Sequence, residues 1–235
     1  MNPSQTARPP TVAVINATAA SVAPARAALA EGFPEATVWS LMDDRLIIDA
    51  EAAGGLTPGL SARMASLIDY AVNGGADAVL LSCTMYGPVV QQERLASTLP
   101  MLSADEELFD EVSRRGYGSV LLLGPLPPAV QDSVTRLRTV LDDSPASAAT
   151  TVVGEVAPGA HALVVSGDLP GLERLLIETA TPHLEEVDAV VLGNFSLAPA
   201  RSGVERALGK PVLSAPLLAA TALRARVVGA GTERE

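Results

Sequence analysis

Two stretches of this chain match without a gap: DAVLLSCTMYGP at 77–88 and DAVVLGNFSLAP at 188–199 keep a constant offset of 111 positions. The register survives as far as PMLSA at 100–104 against PVLSA at 211–215. Each copy reads as a buried strand, a turn ending in proline and a second short strand. A generic α/β pattern would not preserve that spacing, so the match marks an internal duplication. With 235 residues the chain has room for two small α/β lobes and the core they need. Two related lobes facing each other bring equivalent strand ends together across a cleft, which sets Cys83 opposite Asn194.

The elements around the repeat agree. TVAVIN is a strand ending at Asn16, ATAAS a loop and VAPARAALAEGF an alanine-rich helix. ATVWSL is a second strand, and MDDRLIIDAEAAGGL a charged loop or short helix. Thr57 and Pro58 have the chemistry of an N-cap and first helical residue, followed by the apolar face Leu60, Met64, Leu67 and Ile68. NGG at 73–75 stops that helix. The second half repeats the programme with the strand GSVLLLG, the helix PPAVQDSVTRLRTVLDD, a helix over LPGLERLLIETATPHLEEV and the buried strand DAVVLG. Strands alternating with helices indicate an α/β fold with parallel sheets, whose ligands sit beyond the carboxyl ends of the strands.

Composition narrows the partners. The formal net charge of -11 opposes binding to nucleic acid or an anionic membrane, and no Lys/Arg cluster reverses it locally. The amino terminus MNPSQTARPP lacks the apolar core of a signal peptide, and no apolar run approaches the roughly 18 residues that span a bilayer. A single cysteine makes no internal disulfide, and the two histidines lie far from it in sequence, which argues against a Cys/His metal site. Walker-type and dinucleotide-binding glycine patterns are absent, since GGADAVLLS places its glycines before a strand. A cytoplasmic protein acting on a small molecule, without metal or nucleotide cofactor, is the expectation.

The segments LLSCTMYGP, VLGNFSLAP and VINATAAS resemble the aspartate/glutamate/hydantoin racemase superfamily, which includes maleate isomerases and arylmalonate decarboxylases. The resemblance implies two pseudo-symmetric, Rossmann-like (flavodoxin-like) lobes with parallel sheets and an active site between them. It implies no cofactor, a small carboxylate or amide substrate and a homodimer. It also implies that the carboxy-terminal helix LLAATALRARVVG returns to the first lobe, giving residues 1–106 plus 217–235 as one lobe and 107–216 as the other. Racemases of this kind place a cysteine from each lobe on opposite faces of the substrate carbon. Here the first-lobe position is Cys83 and the second-lobe position is Asn194.

A thiolate is both nucleophile and base, and a helix N-terminus favours it, so Cys83 at a strand-to-helix junction is the expected catalytic residue. The bland alternative is a buried thiol that fills space. Backbone N–H groups of Thr84, Met85 and Tyr86, the Thr84 hydroxyl and the neighbouring Ser82 are expected to line the substrate. An amide is no base at neutral pH, so Asn194, with Phe195 and Ser196 beside it, holds substrate or simply caps a turn. Asn16 and Thr18 hold a carboxylate or amide, or else Thr18 and Ser21 cap a helix. The matching second-lobe loop, GPLPPAV at 124–130, offers no hydroxyl or amide. Asp43, Asp44 and Arg45 read as solvated loop charge, and His161 and His183 as surface or packing residues.

One thiol cannot run a symmetric two-thiol racemisation. The expected activity is a racemase-type or isomerase reaction at the carbon next to a carboxylate or carbonyl. The alternatives are decarboxylation of a malonate-like acid by a single cysteine, and a ligand-binding protein that has lost its chemistry.

Overall fold

The computed structural model describes residues 8–232; the first residues of the tail read for a signal sequence lie outside that range. The first half runs β1 (Thr11–Asn16), α1 (Val22–Gly32), β2 (Thr37–Met42), α2 (Arg45–Ala53), α3 (Pro58–Asn73), β3 (Ala78–Leu81), α4 (Gly87–Leu95), β4 (Met101–Leu102) and α5 (Glu106–Arg115). The second runs β5 (Ser119–Gly124), α6 (Pro127–Asp142), β6 (Thr151–Val156), α7 (Ala160–Ser166), α8 (Leu169–Ala180), β7 (Ala189–Leu192), α9 (Arg201–Leu208), β8 (Val212–Ser214) and α10 (Ala215–Thr232).

These strands form two parallel sheets with the same order, β2-β1-β3-β4 and β6-β5-β7-β8. Their registers match as well: Ile15 pairs with Leu81 in the first, Leu123 with Leu192 in the second. Side chains alternate across each sheet, as the pleat requires. Val12, Val14 and Leu80 from one sheet and Val120, Leu122 and Val191 from the other enter one shared inner core. Ala13, Ile15 and Leu81 face a separate outer core in the first lobe, and Leu121, Leu123 and Leu192 its counterpart in the second.

Helices α1, α5, α6 and α10 lie between the sheets and fill the inner core. Helix α10 packs on α1 and α5. The close approach of α1 and α10 depends on small residues, since a side chain on Gly32 would begin 3.0 Å from Thr221 Oγ1 and 3.1 Å from the Ala220 Cβ. Thr57 caps α3 by accepting a hydrogen bond from Leu60 N at 3.3 Å, while Leu60, Met64 and Ile68 are buried and Leu67 is half-buried.

Two expectations shift in detail. The stretch after β2 is the helix α2, tied to α3 by Arg63, which bonds Asp43 and Asp49 and so gives those charges an anchoring role. The helix read through 187 stops at Ala180 and passes into a 3-10 turn at Thr181–His183, because Pro182 has no N–H to continue the ladder. Among the described residues no helix is long and apolar enough to cross a membrane.

Candidate active site

In each sheet the chain leaves the first strand toward one edge and returns to the other side, creating a switch point between β1 and β3 and another between β5 and β7. Ligands of open α/β sheets bind outside the carboxyl ends of the strands at such points. Asn16 and Cys83 flank the first, Gly124 and Asn194 the second. The lobes meet crosswise there. Helix α1 leans on the 3-10 turn Phe195–Ala200, and α6 leans on the 3-10 turn Thr84–Tyr86.

In the first half-site Cys83 is extended (φ -110°, ψ 119°) and half-buried at the head of the Thr84–Tyr86 turn. Burial pushes its thiol up to about 11; the backbone N–H groups of Met85 and Tyr86 act the other way, Asp105 adds to the rise and Arg136 offsets it. The resting sulfur is therefore a thiol at neutral pH, not the thiolate expected from a helix N-terminus, because lost hydration outweighs the two N–H dipoles. Beneath it Ser82 donates to Asn16 Oδ1 at 2.8 Å, and Asn16 Nδ2 reaches Val14 O (3.1 Å), Ser40 Oγ (3.2 Å) and Leu41 O (3.1 Å).

That network corrects two assignments. The Asn16 and Ser82 side chains are buried and spend their hydrogen bonds on the strand ends, so they brace the Cys83 loop from below. The Tyr86 ring lies in the outer core and its hydroxyl donates to Leu46 O at 2.8 Å, so what it can offer the site is its backbone N–H, the group expected there. Met85 is half-buried and Thr84 is a buried residue. The Thr18 hydroxyl lies 3.3 Å from Ser21 Oγ, at the head of the 3-10 turn Ala19–Ser21 that touches the second lobe's turn.

The second half-site repeats the backbone and changes the chemistry. Asn194 is extended like Cys83 (φ -135°, ψ 143°) and half-buried, with no side-chain cap bond. Gly124 and Gly193 stand where the first lobe has Asn16 and Ser82. A side chain on Gly124 would begin 2.7 Å from Val130 Cγ2 and 3.4 Å from Asn194 Oδ1, so the glycine makes room for Val130 of α6, with the amide in ordinary contact beside it. Phe195 is a core residue, which removes its side chain from the substrate-binding set, whereas Ser196 stays half-buried. Ser196 borders an apolar hollow of about 420 Å³ walled by Ala19, Ala20, Ala23, Leu163 and Leu169. Neither Cys83 nor Asn194 lines that hollow, so it adjoins the second half-site without containing the thiol.

Two residues absent from the sequence-based set stand behind Cys83. Asp105, just after β4, is 1% exposed and accepts a 2.5 Å hydrogen bond from Arg136 Nη2 of α6. Arg136 Nε also bonds Asp132 at 2.9 Å, and its guanidinium lies 5.4 Å from the Phe109 ring centre. Burial raises the Asp105 carboxyl, with Arg136 opposing the rise. Burial also opposes the Arg136 charge, but Asp105 holds its pKa above the ordinary value. One signal was present in the repeat, where PMLSAD sets an acid against the proline of PVLSAP.

His183 lies 3.6 Å from Glu155, and His161 is exposed on α7. Arg45 pairs with Asp49 at 3.0 Å on its own helix. Among the described residues no group of three or more His, Cys, Asp or Glu could hold a metal ion.

Comparison with known proteins agrees with this architecture. A family model described as Asp/Glu/Hydantoin racemase matches residues 9–223. A glutamate racemase isoform from Bacillus anthracis superposes with a TM-score of 0.73 at 12% identity, over 95% of this chain and 84% of that one. The allantoin racemase of Klebsiella pneumoniae gives 0.69 at 16%, over 94% and 89%. A liganded double mutant of arylmalonate decarboxylase, with one glycine changed to cysteine and one cysteine to serine, gives 0.61 at 22%, over 94% of each chain. No curated protein sequence matches.

Proposed function

The chain belongs to the Asp/Glu/hydantoin racemase family, and from that premise we propose that it moves a proton at the carbon next to a carboxylate or carbonyl of a small acid or amide, with Cys83 as its one acid–base group. Family membership supports a racemase-type enzyme. The observation that carries the finer reading is the pairing of a thiol, Cys83, with an amide, Asn194, at equivalent strand ends.

In this reading a substrate carbonyl or carboxylate lies against the Thr84–Tyr86 turn, where N–H groups and the Thr84 hydroxyl stabilise charge developing on oxygen. Cys83 serves one face of the carbon. Asn194 orients the opposite face by hydrogen bonding and transfers no proton. The hollow beside Ser196 offers space for an apolar substituent.

A second reading rests on the state of the thiol. Because burial holds Cys83 protonated, the proton it can deliver at neutral pH suits decarboxylation of a malonate-like acid. The carbon–carboxylate bond breaks, carbon dioxide leaves, and its bonding pair forms an enediolate with the remaining carboxylate. The Cys83 S–H then gives its proton to carbon, and the resulting thiolate recovers one from water. Addition of Cys83 to a double bond for cis–trans isomerisation needs the thiolate from the start, which the burial of the sulfur disfavours.

Deuterium incorporation from heavy water, screened over amino acids, hydantoins, maleate and arylmalonates, distinguishes these readings. The wild type is expected to label the carbon of one substrate class and Cys83→Ala to label none. Full labelling by Cys83→Ala would sink the role of the thiol. Saturable binding without exchange or turnover of any candidate would point to a ligand-binding protein instead.

A further inference from the structure

Side chains tie both ends of the Cys83 turn to one short segment, the passage from β2 into α2. Ahead of the sulfur, Ser82 donates to Asn16 Oδ1, and the Asn16 amide donates onward to Leu41 O at 3.1 Å. The Asn16 carbonyl accepts from Asp43 N, also at 3.1 Å. Beyond the sulfur, the Tyr86 hydroxyl donates to Leu46 O at 2.8 Å. The anchor is itself fixed, because Arg63 of α3 bonds Asp43 at 2.6 Å and Asp49 at 2.8 Å, and Leu46 is fully buried. Residues 82–86 and 41–46 thus close a circuit of hydrogen bonds through Asn16. Asn16, Ser82 and Tyr86 are all buried, where such bonds are not readily exchanged for water.

The second lobe forms its turn without these ties. Its backbone links persist: Gly193 N donates to Leu123 O at 2.9 Å as Ser82 N does to Ile15 O at 3.0 Å, and Ala157 N donates to Gly124 O at 2.9 Å as Asp43 N does to the Asn16 carbonyl. The side-chain links do not, since Gly193, Gly124 and Leu197 stand at the places of Ser82, Asn16 and Tyr86. Leu197 is as fully buried in its outer core as Tyr86 is in the other. Folding the turn and filling the core therefore require neither the Tyr86 hydroxyl nor the Ser82–Asn16 bond. We propose that Tyr86 is a positioning residue for Cys83: its hydroxyl, together with the Ser82–Asn16 bond, pins the turn at both ends, so that the sulfur and the N–H groups beside it keep one geometry toward the substrate. The inference rests on the reading of Cys83 as the working thiol. Such fixing matters at a proton-transfer group because a misplacement of about 1 Å can cost about a hundredfold in rate.

Amide hydrogen exchange reads the turn without a substrate. Gly87 N closes the first turn on Thr84 O, and Leu197 N bonds Asn194 O in the second. Tyr86→Phe removes one oxygen and leaves the ring in its core, so exchange at Gly87 should quicken about tenfold, the order of one lost hydrogen bond, with Leu197 unchanged. Ser82→Ala should act alike. Asp168→Ala takes a 2.9 Å N-cap bond from α8, loosens the second lobe to a similar extent and should leave Gly87 at the wild-type rate. The catalytic readout is heavy-water labelling over amino acids, hydantoins, maleate and arylmalonates. On the substrate that the wild type labels, Tyr86→Phe should lower kcat and kcat/KM together by about tenfold and move KM less than about twofold, the pattern of an interaction made in the transition state. A merely structural hydroxyl would lower the unfolding midpoint and leave the kcat of the folded protein as it is. Wild-type exchange at Gly87 in Tyr86→Phe overturns the proposal, and so does an unchanged kcat. If that variant does not fold, Ser82→Ala decides on the same two readouts. Either result leaves the role of Cys83 standing, since labelling by Cys83→Ala judges that role separately.

Discussion

The two half-sites share a backbone and differ in nearly every side chain that matters. In one, a thiol stands over a hydrogen-bonded Asn16–Ser82 brace, with a buried ion pair behind it. In the other, an amide stands over Gly124 and Gly193, next to an apolar hollow. Strand order, register and the extended backbone at Cys83 and Asn194 are unchanged between them. Duplication thus preserved the elements that place a residue at a strand end, because shifting a parallel strand by one position would exchange the side chains of its inner and outer cores. It left open which residue occupies that place. In the proposed reading a symmetric frame carries a one-sided site, with proton transfer in the first lobe and orientation in the second.

The largest test of that asymmetry is to remove each head group in turn. Cys83→Ala should lower turnover by about a thousandfold, within the range for loss of an acid–base group, while leaving the unfolding midpoint within a few degrees of wild type. Asn194→Ala should cost no more than about tenfold, the order of one hydrogen bond to substrate. Equal losses at the two positions would break the comparison, because they would make the halves chemically equivalent.

Next in size is the buried pair present only behind Cys83. Arg136→Met strands the Asp105 carboxyl in the interior, and removing one partner of such a pair costs about 3 kcal/mol of folding stability. That is more than a hundredfold in the folding equilibrium, readable as a lower urea midpoint. A loss below about 0.5 kcal/mol would mean that water reaches Asp105 freely.

The state of the thiol gives a smaller, pH-dependent effect. Its folded value is about 11 against an ordinary 9.0, so between those pH values the unfolded chain gives up the proton first. The folded state then binds more protons, and stability falls as pH rises through that window. The contribution is fully present below pH 9 and is lost by pH 11, a change of roughly 2 kcal/mol. Measured by urea denaturation, the stability of the wild type relative to Cys83→Ala should therefore decline across this window and stay flat from pH 6 to 8. A flat difference throughout would show a sulfur that ionises as it does in water.

Much of this comparison was legible in the residues. The gap-free repeat foretold two sheets of one topology, and Cys83 and Asn194 fell at matching strand ends because β3 and β7 occupy the same register in the repeat. What the structure redirects is the expectation that the side chains of Asn16, Ser82 and Phe195 line the ligand. Tyr86 and Phe195 follow the strand ends at points where the 3-10 turn directs the side chain back to a core. Asn16 reads as a strand end free to bind ligand, yet its side chain is spent on Leu41 O and Ser82, contacts that depend on tertiary placement. Arg136 was hidden for a different reason. One turn after Asp132 it looks like an ordinary surface pair on a helix, and its partner Asp105 lies 31 positions away across the lobe boundary.

The smallest expected effect comes from restoring the second thiol. Asn194→Cys places a sulfur over Gly124 and Gly193, where the amide already fits against Gly124, so folding should be nearly unaffected. Proton exchange on the opposite face of the substrate should appear, detected as loss of stereochemical purity in product formed in heavy water. Its rate should stay low, about a tenth of the main reaction or less. The new thiol would lack what surrounds Cys83: no Asn16–Ser82 brace fixes the loop beneath it, and Pro216 stands where the first lobe has Asp105. Side-chain precision of that kind governs proton transfer more steeply than the presence of a thiol alone, because the donor must lie within hydrogen-bond reach of the carbon's proton. Exchange on both faces at comparable rates would mean that the shared backbone suffices, and that the brace and the ion pair matter only to the stability of the first lobe.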